Sequence, residues 1–106
     1  MGKDLAEAVK WFSKAAEQGF ADARNYLGFC YMEGQGVGKN KAEGAKWYSK
    51  AAEQGLARAR NNLGCCYEYG QGVGKDKTKA VKWYSKAAEQ GYADAKAALN
   101  RMRILG

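Results

Sequence analysis

The chain has 106 residues, with 18 Lys and Arg against 11 Asp and Glu, and its formal net charge is +7. This length fits one domain, and the absence of His excludes the usual general base and the usual zinc ligand. No apolar segment approaches the roughly 18 residues of a membrane span, and no secretory leader opens the sequence. The composition therefore predicts a single domain that does not cross a membrane.

A repeat of 36 residues organises the chain, because Trp11, Trp47 and Trp83 each begin a copy of W-[FY]-S-K-A-A-E-Q-G. The segments 27–40 and 63–76 repeat a second pattern, which begins L-G-x-C-Y. Self-similarity at this period indicates stacked supersecondary units that share one continuous core. Strand signals are absent, since period-two runs and β-branched residues are rare.

Helix caps and apolar spacing predict six helices, two in each unit. Asp4, Asn40 and Asp76 are predicted N-caps, and a Glu three residues later completes a capping box in the first two copies (Glu7 and Glu43). Glycine followed by an apolar residue at 19, 55 and 91 predicts a Schellman end. The predicted helices span about 4–18, 21–33, 40–54, 57–69, 76–90 and 93–105.

Two glycines are predicted inside helices, where Gly costs about 1 kcal/mol relative to Ala. Gly28 and Gly64 recur in register, which indicates a helix crossing too close for a Cβ. The third copy has Asn100 in that position and Arg103 in the following Tyr position. Polar substitutions on this face are typical of a capping unit.

The pattern W-x-x-x-A-A-x-x-G, followed by L-G-x-x-Y-x-x-G-x-G-V, resembles the Sel1-like repeat, a relative of the tetratricopeptide repeat. The resemblance covers nearly all of residues 1–106. It implies an all-α fold, a right-handed α/α solenoid of about three helix-hairpin repeats, with a concave wall formed by the L-G-x-x-Y helices. It also implies a scaffold or adaptor rather than an enzyme. Gly38 and Gly74 stand where the family usually has Pro, which predicts looser loops.

The helices at 21–33, 57–69 and 93–105 have one constant and one variable face. Ala23, Leu27, Cys30 and Tyr31 lie on the constant face, which we expect to be core. On or beside the variable face, aromatic side chains are candidate anchors, Asn side chains candidate partners of a peptide backbone, and Arg58 and Arg101 candidate partners of carboxylates. The predicted partner-binding residues are Asp22, Asn25, Tyr26, Phe29, Glu33, Arg58, Asn61, Asn62, Cys65, Tyr69, Asp94 and Arg101.

The sequence leaves alternatives to this protein or peptide binder, whose partner would be acidic. The variable stripe is also consistent with a solvated surface that drifts. The near-identity of the copies fits an idealised or excised scaffold without a natural ligand. Lysines repeated in every unit fit a nucleic-acid binder, or a by-product of copying. Leu5, Ile104 and Leu105 at the ends predict some end-to-end self-association.

Catalysis and metal binding have little support in the sequence. Ser13, Ser49 and Ser85 recur in register and have no His to activate them, so we predict no enzyme, catalytic residue or cofactor. Cys30, Cys65 and Cys66 form neither a metal site nor a disulfide framework, and the cysteine pairs that staple secreted relatives are missing. Reduced thiols favour a reducing compartment, here the cytoplasm.

Overall fold

A computed structural model describes the backbone of residues 2–105 and the side chains of residues 4–103. Over that range the protein consists of six helices and contains no strand, which confirms the predicted all-α fold. The helices are α1 (Gly2–Glu17), α2 (Ala21–Glu33), α3 (Lys41–Glu53), α4 (Ala57–Tyr69), α5 (Lys77–Glu89) and α6 (Ala93–Leu105). Each helix packs against the next, in an elongated body of 44 × 23 × 21 Å.

Two of the three predicted N-caps form. Asn40 Oδ1 accepts the backbone N–H of Glu43 at 3.1 Å, and Asp76 caps α5 in the same way. The Asn40 N–H donates to the Tyr31 carbonyl, so the reciprocal half of the capping box is not made. The prediction for Asp4 is wrong, because α1 begins at Gly2 and places Asp4 in its first turn. A carboxylate there still interacts favourably with the helix dipole.

The first helix of each unit ends in the predicted Schellman motif. Gly19 has φ of +98°, its N–H donates to the Ala16 carbonyl, and the Phe20 N–H donates to the Ala15 carbonyl at 3.2 Å. The same two bonds recur around Gly55 and Gly91. These turns reverse the chain within three residues, so the second helix of each unit starts at the predicted position.

The closest helix crossings confirm the role predicted for the mid-helix glycines. A Cβ on Gly28 would lie 2.7 Å from Tyr48 Cδ1, and one on Gly64 would lie 2.8 Å from Tyr84 Cδ1. The tightest pairs are therefore α2 with α3 and α4 with α5, across the G-Q-G-V-G loops. The ring that fills each glycine site comes from the following unit, and the two helices within each unit also pack against each other.

The junctions between successive units are fixed by a repeated polar contact. The Gln54 amide donates to the Gly19 carbonyl at 2.6 Å and accepts from Arg24, whose Nε donates to the Ala16 carbonyl. Gln90, Gly55 and Arg60 form the same arrangement one repeat later. These contacts tie α2 and α4 to the units that follow them in the same way at both junctions.

Candidate functional site

The constant face of these helices lies in the interior, and most of the variable face lies on the surface. Ala23, Leu27 and Cys30 are buried and Tyr31 is half-buried, as expected for the core face. The predicted aromatic anchors are exposed, with Tyr26 at 37%, Phe29 at 39% and Tyr69 at 56% of their full accessibility. The charged members of the variable face are exposed as well, namely Asp22, Glu33, Arg58, Asp94 and Arg101.

The first unit carries an aromatic cluster on this surface. The ring of Tyr26 lies 4.3 Å from that of Phe12 and 6.2 Å from that of Phe29, measured between centroids. Phe12 comes from α1 and is half-buried, so it supports Tyr26 from below. Two rings held in place and exposed to solvent provide apolar contact area with little loss of side-chain entropy on binding.

Two clefts follow along the same side. The first cleft, of about 340 Å³, lies between α2, α3 and α4 and includes Glu33 and Asn62 in its lining. The second cleft, of about 380 Å³, lies between α4 and α6 and includes Asn61, Asp94 and Arg101. Cys65 and Tyr69 line both clefts and form the ridge between them. The structure thus brings together seven predicted site residues around one ridge.

Asn25 is buried, whereas the sequence analysis placed it on or beside the variable face. It is only 8% exposed, and its Oδ1 accepts a hydrogen bond of 2.9 Å from Asn62 Nδ2. The amide of Asn62, which is half-buried, therefore covers Asn25 and ties α4 to α2. The Asn25 oxygen therefore has its hydrogen-bond partner within the chain.

Asn61 is the copy of Asn25 in the next unit, and its surroundings differ. Its Oδ1 is shielded from solvent and has no hydrogen-bond partner within residues 4–103. The residue one repeat after Asn62 is Ala98, which has no group to donate. The second cleft opens at this point, with both Asn61 and Ala98 in its wall.

Arg101 is exposed, and it already holds a carboxylate of this chain. Its guanidinium donates to both carboxylate oxygens of Glu68, at 2.5 and 3.0 Å. Glu68 is 8% exposed and also accepts from the Tyr84 hydroxyl at 2.7 Å. The hydrogen bonds from Arg101 hold the pKa of Glu68 below its ordinary value, although burial opposes them. Arg58 forms no ion pair among the described side chains.

Glu68 is the residue that sequence reasoning missed, although a signal for it was present. Its counterpart in the preceding unit is Met32, and the counterpart of Arg101 is Cys65. Two apolar residues are thus replaced together by an acid and a base. A paired change of this kind between copies indicates a contact, and here it is an ion pair between buried Glu68 and exposed Arg101.

The three thiols differ in environment, and none forms a disulfide. Cys30 and Cys66 are buried, and burial raises the pKa of both, for Cys66 to about 12. Cys65 is half-buried on the ridge, 3.2 Å from the Tyr84 hydroxyl. Since the thiolate is the nucleophile, Cys30 and Cys66 are chemically inert in the folded protein. No group of three potential metal ligands occurs among the described residues.

The repeated lysines lie on other helices than the aromatic anchors. Lys14 covers the ring of Trp11 at 4.8 Å, Lys50 that of Trp47, and Lys86 that of Trp83, all on α1, α3 and α5. These cation–π contacts stabilise the outer helices. None of the helices over residues 2–105 is both long and apolar enough to span a membrane.

The N-terminal unit presents further apolar surface. Leu5, Trp11 and Phe20 are 39%, 62% and 61% exposed, whereas Trp47 packs against the core of the unit before it. At the other end, the side chains of Ile104 and Leu105 lie outside the described residues. The predicted self-association through these C-terminal side chains therefore stays a prediction.

Comparisons with known proteins agree with this architecture. The sequence model of the Sel1 repeat family matches residues 1–20, 21–56 and 57–92. No curated protein matches the chain.

Solved structures similar to the chain include three bacterial proteins. A Sel1 repeat protein from Oxalobacter formigenes is 41% identical over 98% of this chain and 42% of its own, with a TM-score of 0.92. A protective antigen of uropathogenic Escherichia coli with an SLR fold is 45% identical over 92% of this chain, with a TM-score of 0.90. Cysteine rich protein B of Helicobacter pylori is 32% identical over 87% of this chain and 69% of its own, with a TM-score of 0.82.

The chain spans 21% of the Escherichia coli antigen and 42% of the Oxalobacter protein. Sel1 repeat proteins are generally non-catalytic scaffolds for protein–protein interactions. The repeat pattern, the six stacked helices and the family match over residues 1–92 together identify this chain as a member of the Sel1 repeat family.

Proposed function

We propose that this chain is a non-enzymatic interaction module that binds an extended segment of a partner protein along the variable face of α2, α4 and α6. The observation that carries the proposal is the row of exposed aromatic side chains beside two clefts, on helices whose opposite face is constant core. Exposed aromatics beside half-buried polar groups are typical of interface anchors. The family resemblance implies a concave wall formed by these helices, and a segment bound there would touch all three units.

The charge distribution supports an acidic partner. Of the three helices that carry the variable face, α4 and α6 together contain five basic and two acidic residues, whereas α2 contains one basic and two acidic residues. Within this basic part Arg101 is neutralised by Glu68, so Arg58 is the cation on the variable face that we expect to meet a carboxylate. Charge complementarity of this kind raises the association rate more than it raises affinity.

Nucleic-acid binding through stacked bases receives less support. Stacking needs aromatic rings and a basic groove on the same surface. Here Tyr26, Phe29 and Tyr69 lie on α2 and α4, and the repeated lysines cover tryptophans on α1, α3 and α5.

The experiment is a selection of dodecamer peptides from a random display library, followed by affinity measurement by fluorescence polarisation. The variant Tyr26→Ala/Phe29→Ala/Tyr69→Ala should bind the selected peptides at least ten times more weakly, with little change in melting temperature. Trp11→Ala removes an equally exposed ring from α1 and should leave binding intact. Peptides that bind the triple variant and the wild type equally would overturn the proposal. Single-stranded DNA binding that falls steeply with salt would favour the nucleic-acid alternative.

A further inference from the structure

We propose that the second cleft is a carboxamide site, in which Asn61 receives the side-chain amide of an Asn or Gln from the bound segment. This inference rests on the proposed function and specifies what one position of the partner must contain. The internal repeat contains the same acceptor once with a hydrogen-bond partner and once without.

We call the junction of α2 with α4 the first register and that of α4 with α6 the second. In the first register, the acceptor Asn25 has its hydrogen-bond partner within the chain. Asn62 Nδ2 donates to Asn25 Oδ1 at 2.9 Å, so an amide from the following unit satisfies this acceptor at the edge of the first cleft. The protein thus shows directly what kind of group fits here, namely a primary amide on a short apolar stem.

In the second register, the acceptor remains and the donor is gone. Asn61 Oδ1 is shielded from solvent without a hydrogen-bond partner in the described residues, and Ala98 stands where an amide would come from. A shielded acceptor without a donor is unfavourable, and few occur in native proteins. A cleft of about 380 Å³ lies at this position, large enough for a side chain to enter.

The other groups around the second cleft favour a neutral amide over a charged group. Asn61 Oδ1 would repel the oxygens of a carboxylate. A Lys ammonium has donors only, so it could not accept from the N–H groups of Arg101 that Glu68 leaves unused. A carboxamide has donors for Asn61 and Asp94, and an acceptor for the N–H groups of Arg101 that Glu68 leaves unused. The exposed ring of Tyr69 covers the stem.

The test uses Ala98→Asn, which supplies from within the chain the amide that the partner would provide. The same dodecamer library is selected on the wild-type protein, and we expect Asn or Gln to be enriched at one position. A synthetic selected peptide should lose at least tenfold in affinity when that residue is changed to the isosteric acid, because a buried acceptor rejects a group that cannot donate. In Ala98→Asn the difference between the two peptides should vanish.

Two further variants keep the inference falsifiable. Asn61→Leu removes the acceptor at similar size, and should also abolish the amide preference. Asn62→Ala alters only the first register and should preserve it, even if the protein becomes less stable. If Ala98→Asn does not fold, a comparison of Asn61→Leu with Asn62→Ala decides whether the amide preference depends on Asn61.

The outcomes separate this inference from the proposed function. Peptides that depend on Tyr26, Phe29 and Tyr69 but show no amide preference would overturn the carboxamide site and leave the function standing. An amide preference that persists in Asn61→Leu would also overturn the site. If no selected peptide depends on the aromatic row, both proposals fail together.

Discussion

Arg101 on α6 holds both carboxylate oxygens of Glu68 on α4, in the two positions where the preceding register has Cys65 and Met32. The same fold thus uses an apolar pair at one junction and an ion pair at the next. Removal of Arg101 leaves the charge of buried Glu68 without its partner, whereas replacement of both residues by apolar ones is often neutral.

The first prediction is that the ion pair behaves as a unit. Arg101→Cys alone should lower the melting temperature, because Glu68 then stays buried without its partner. The double variant Glu68→Met/Arg101→Cys copies the preceding register and should recover most of that loss. The measurement is a double-mutant cycle by chemical denaturation. Equal losses in the single and double variants would contradict the coupling.

The second prediction concerns pH. The pKa of Glu68 is lowered in the folded protein, mainly by hydrogen bonds from Arg101. The carboxylate therefore stabilises the fold fully above its ordinary pKa of 4.5, and this contribution is lost as the pH falls through the lower, folded value. The stability of the wild type should fall more steeply in acid than that of Glu68→Met/Arg101→Cys. Parallel unfolding curves for the two proteins over this range would refute the assignment.

Much of the fold is encoded locally and could be predicted. The capping of α3 and α5 and the Schellman ends each depend on a few neighbouring residues, and the structure confirms them. The buried glycines were found from their recurrence inside a helix, although the ring at each site comes from the following unit. The start of α1 was mispredicted because Asp4 suits the first helical turn as well as the cap.

The site was less predictable, because it depends on contacts between units. Exposure of Tyr26, Phe29 and Tyr69 followed from helical periodicity. The burial of Asn25 and the neutralisation of Arg101 depend on Asn62 and Glu68, which come from other helices. No single helical wheel contains both members of such a pair, although a comparison of the copies does.

The third prediction contrasts Gly28, which lies inside a helix, with Gly38, which lies in a loop. Gly28→Ala gains about 1 kcal/mol of helix propensity, but the new Cβ lies 2.7 Å from the ring of buried Tyr48, at an overpacking cost of about 1–3 kcal/mol. We expect a net loss of stability. Gly38 has open space and no positive φ, so Gly38→Ala should gain about 0.4–1 kcal/mol. Denaturant melts of both variants test this contrast, and a stabilised Gly28→Ala would contradict the close crossing.

The fourth prediction concerns thiol reactivity. Cys65 is half-buried on the surface ridge, whereas Cys30 and Cys66 are buried with raised pKa values. A disulfide reagent at mildly alkaline pH should modify one thiol quickly and the other two only after unfolding. Cys65→Ser should remove the fast phase, and Cys30→Ser should retain it. Two fast thiols in the wild type would show that the core opens locally.

The last prediction is that Asn100 limits end-to-end association. Within the chain, Tyr48 packs on Gly28 and Tyr84 packs on Gly64, and Phe12 and Asn100 are the next members of these two series. A second copy docked with the same geometry would place Phe12 against the Cβ of Asn100, at a separation that Cβ atoms do not tolerate.

The exposed Trp11 still favours some contact, so we expect only weak self-association of the wild type. Asn100→Gly should strengthen it, and the mean mass should grow steadily with concentration, because head-to-tail contacts do not close into a dimer. Adding Trp11→Lys should reverse the effect, since Trp47 and Trp83 form the corresponding contacts inside the chain. A monomer mass for Asn100→Gly at every concentration by light scattering would refute this view of the ends.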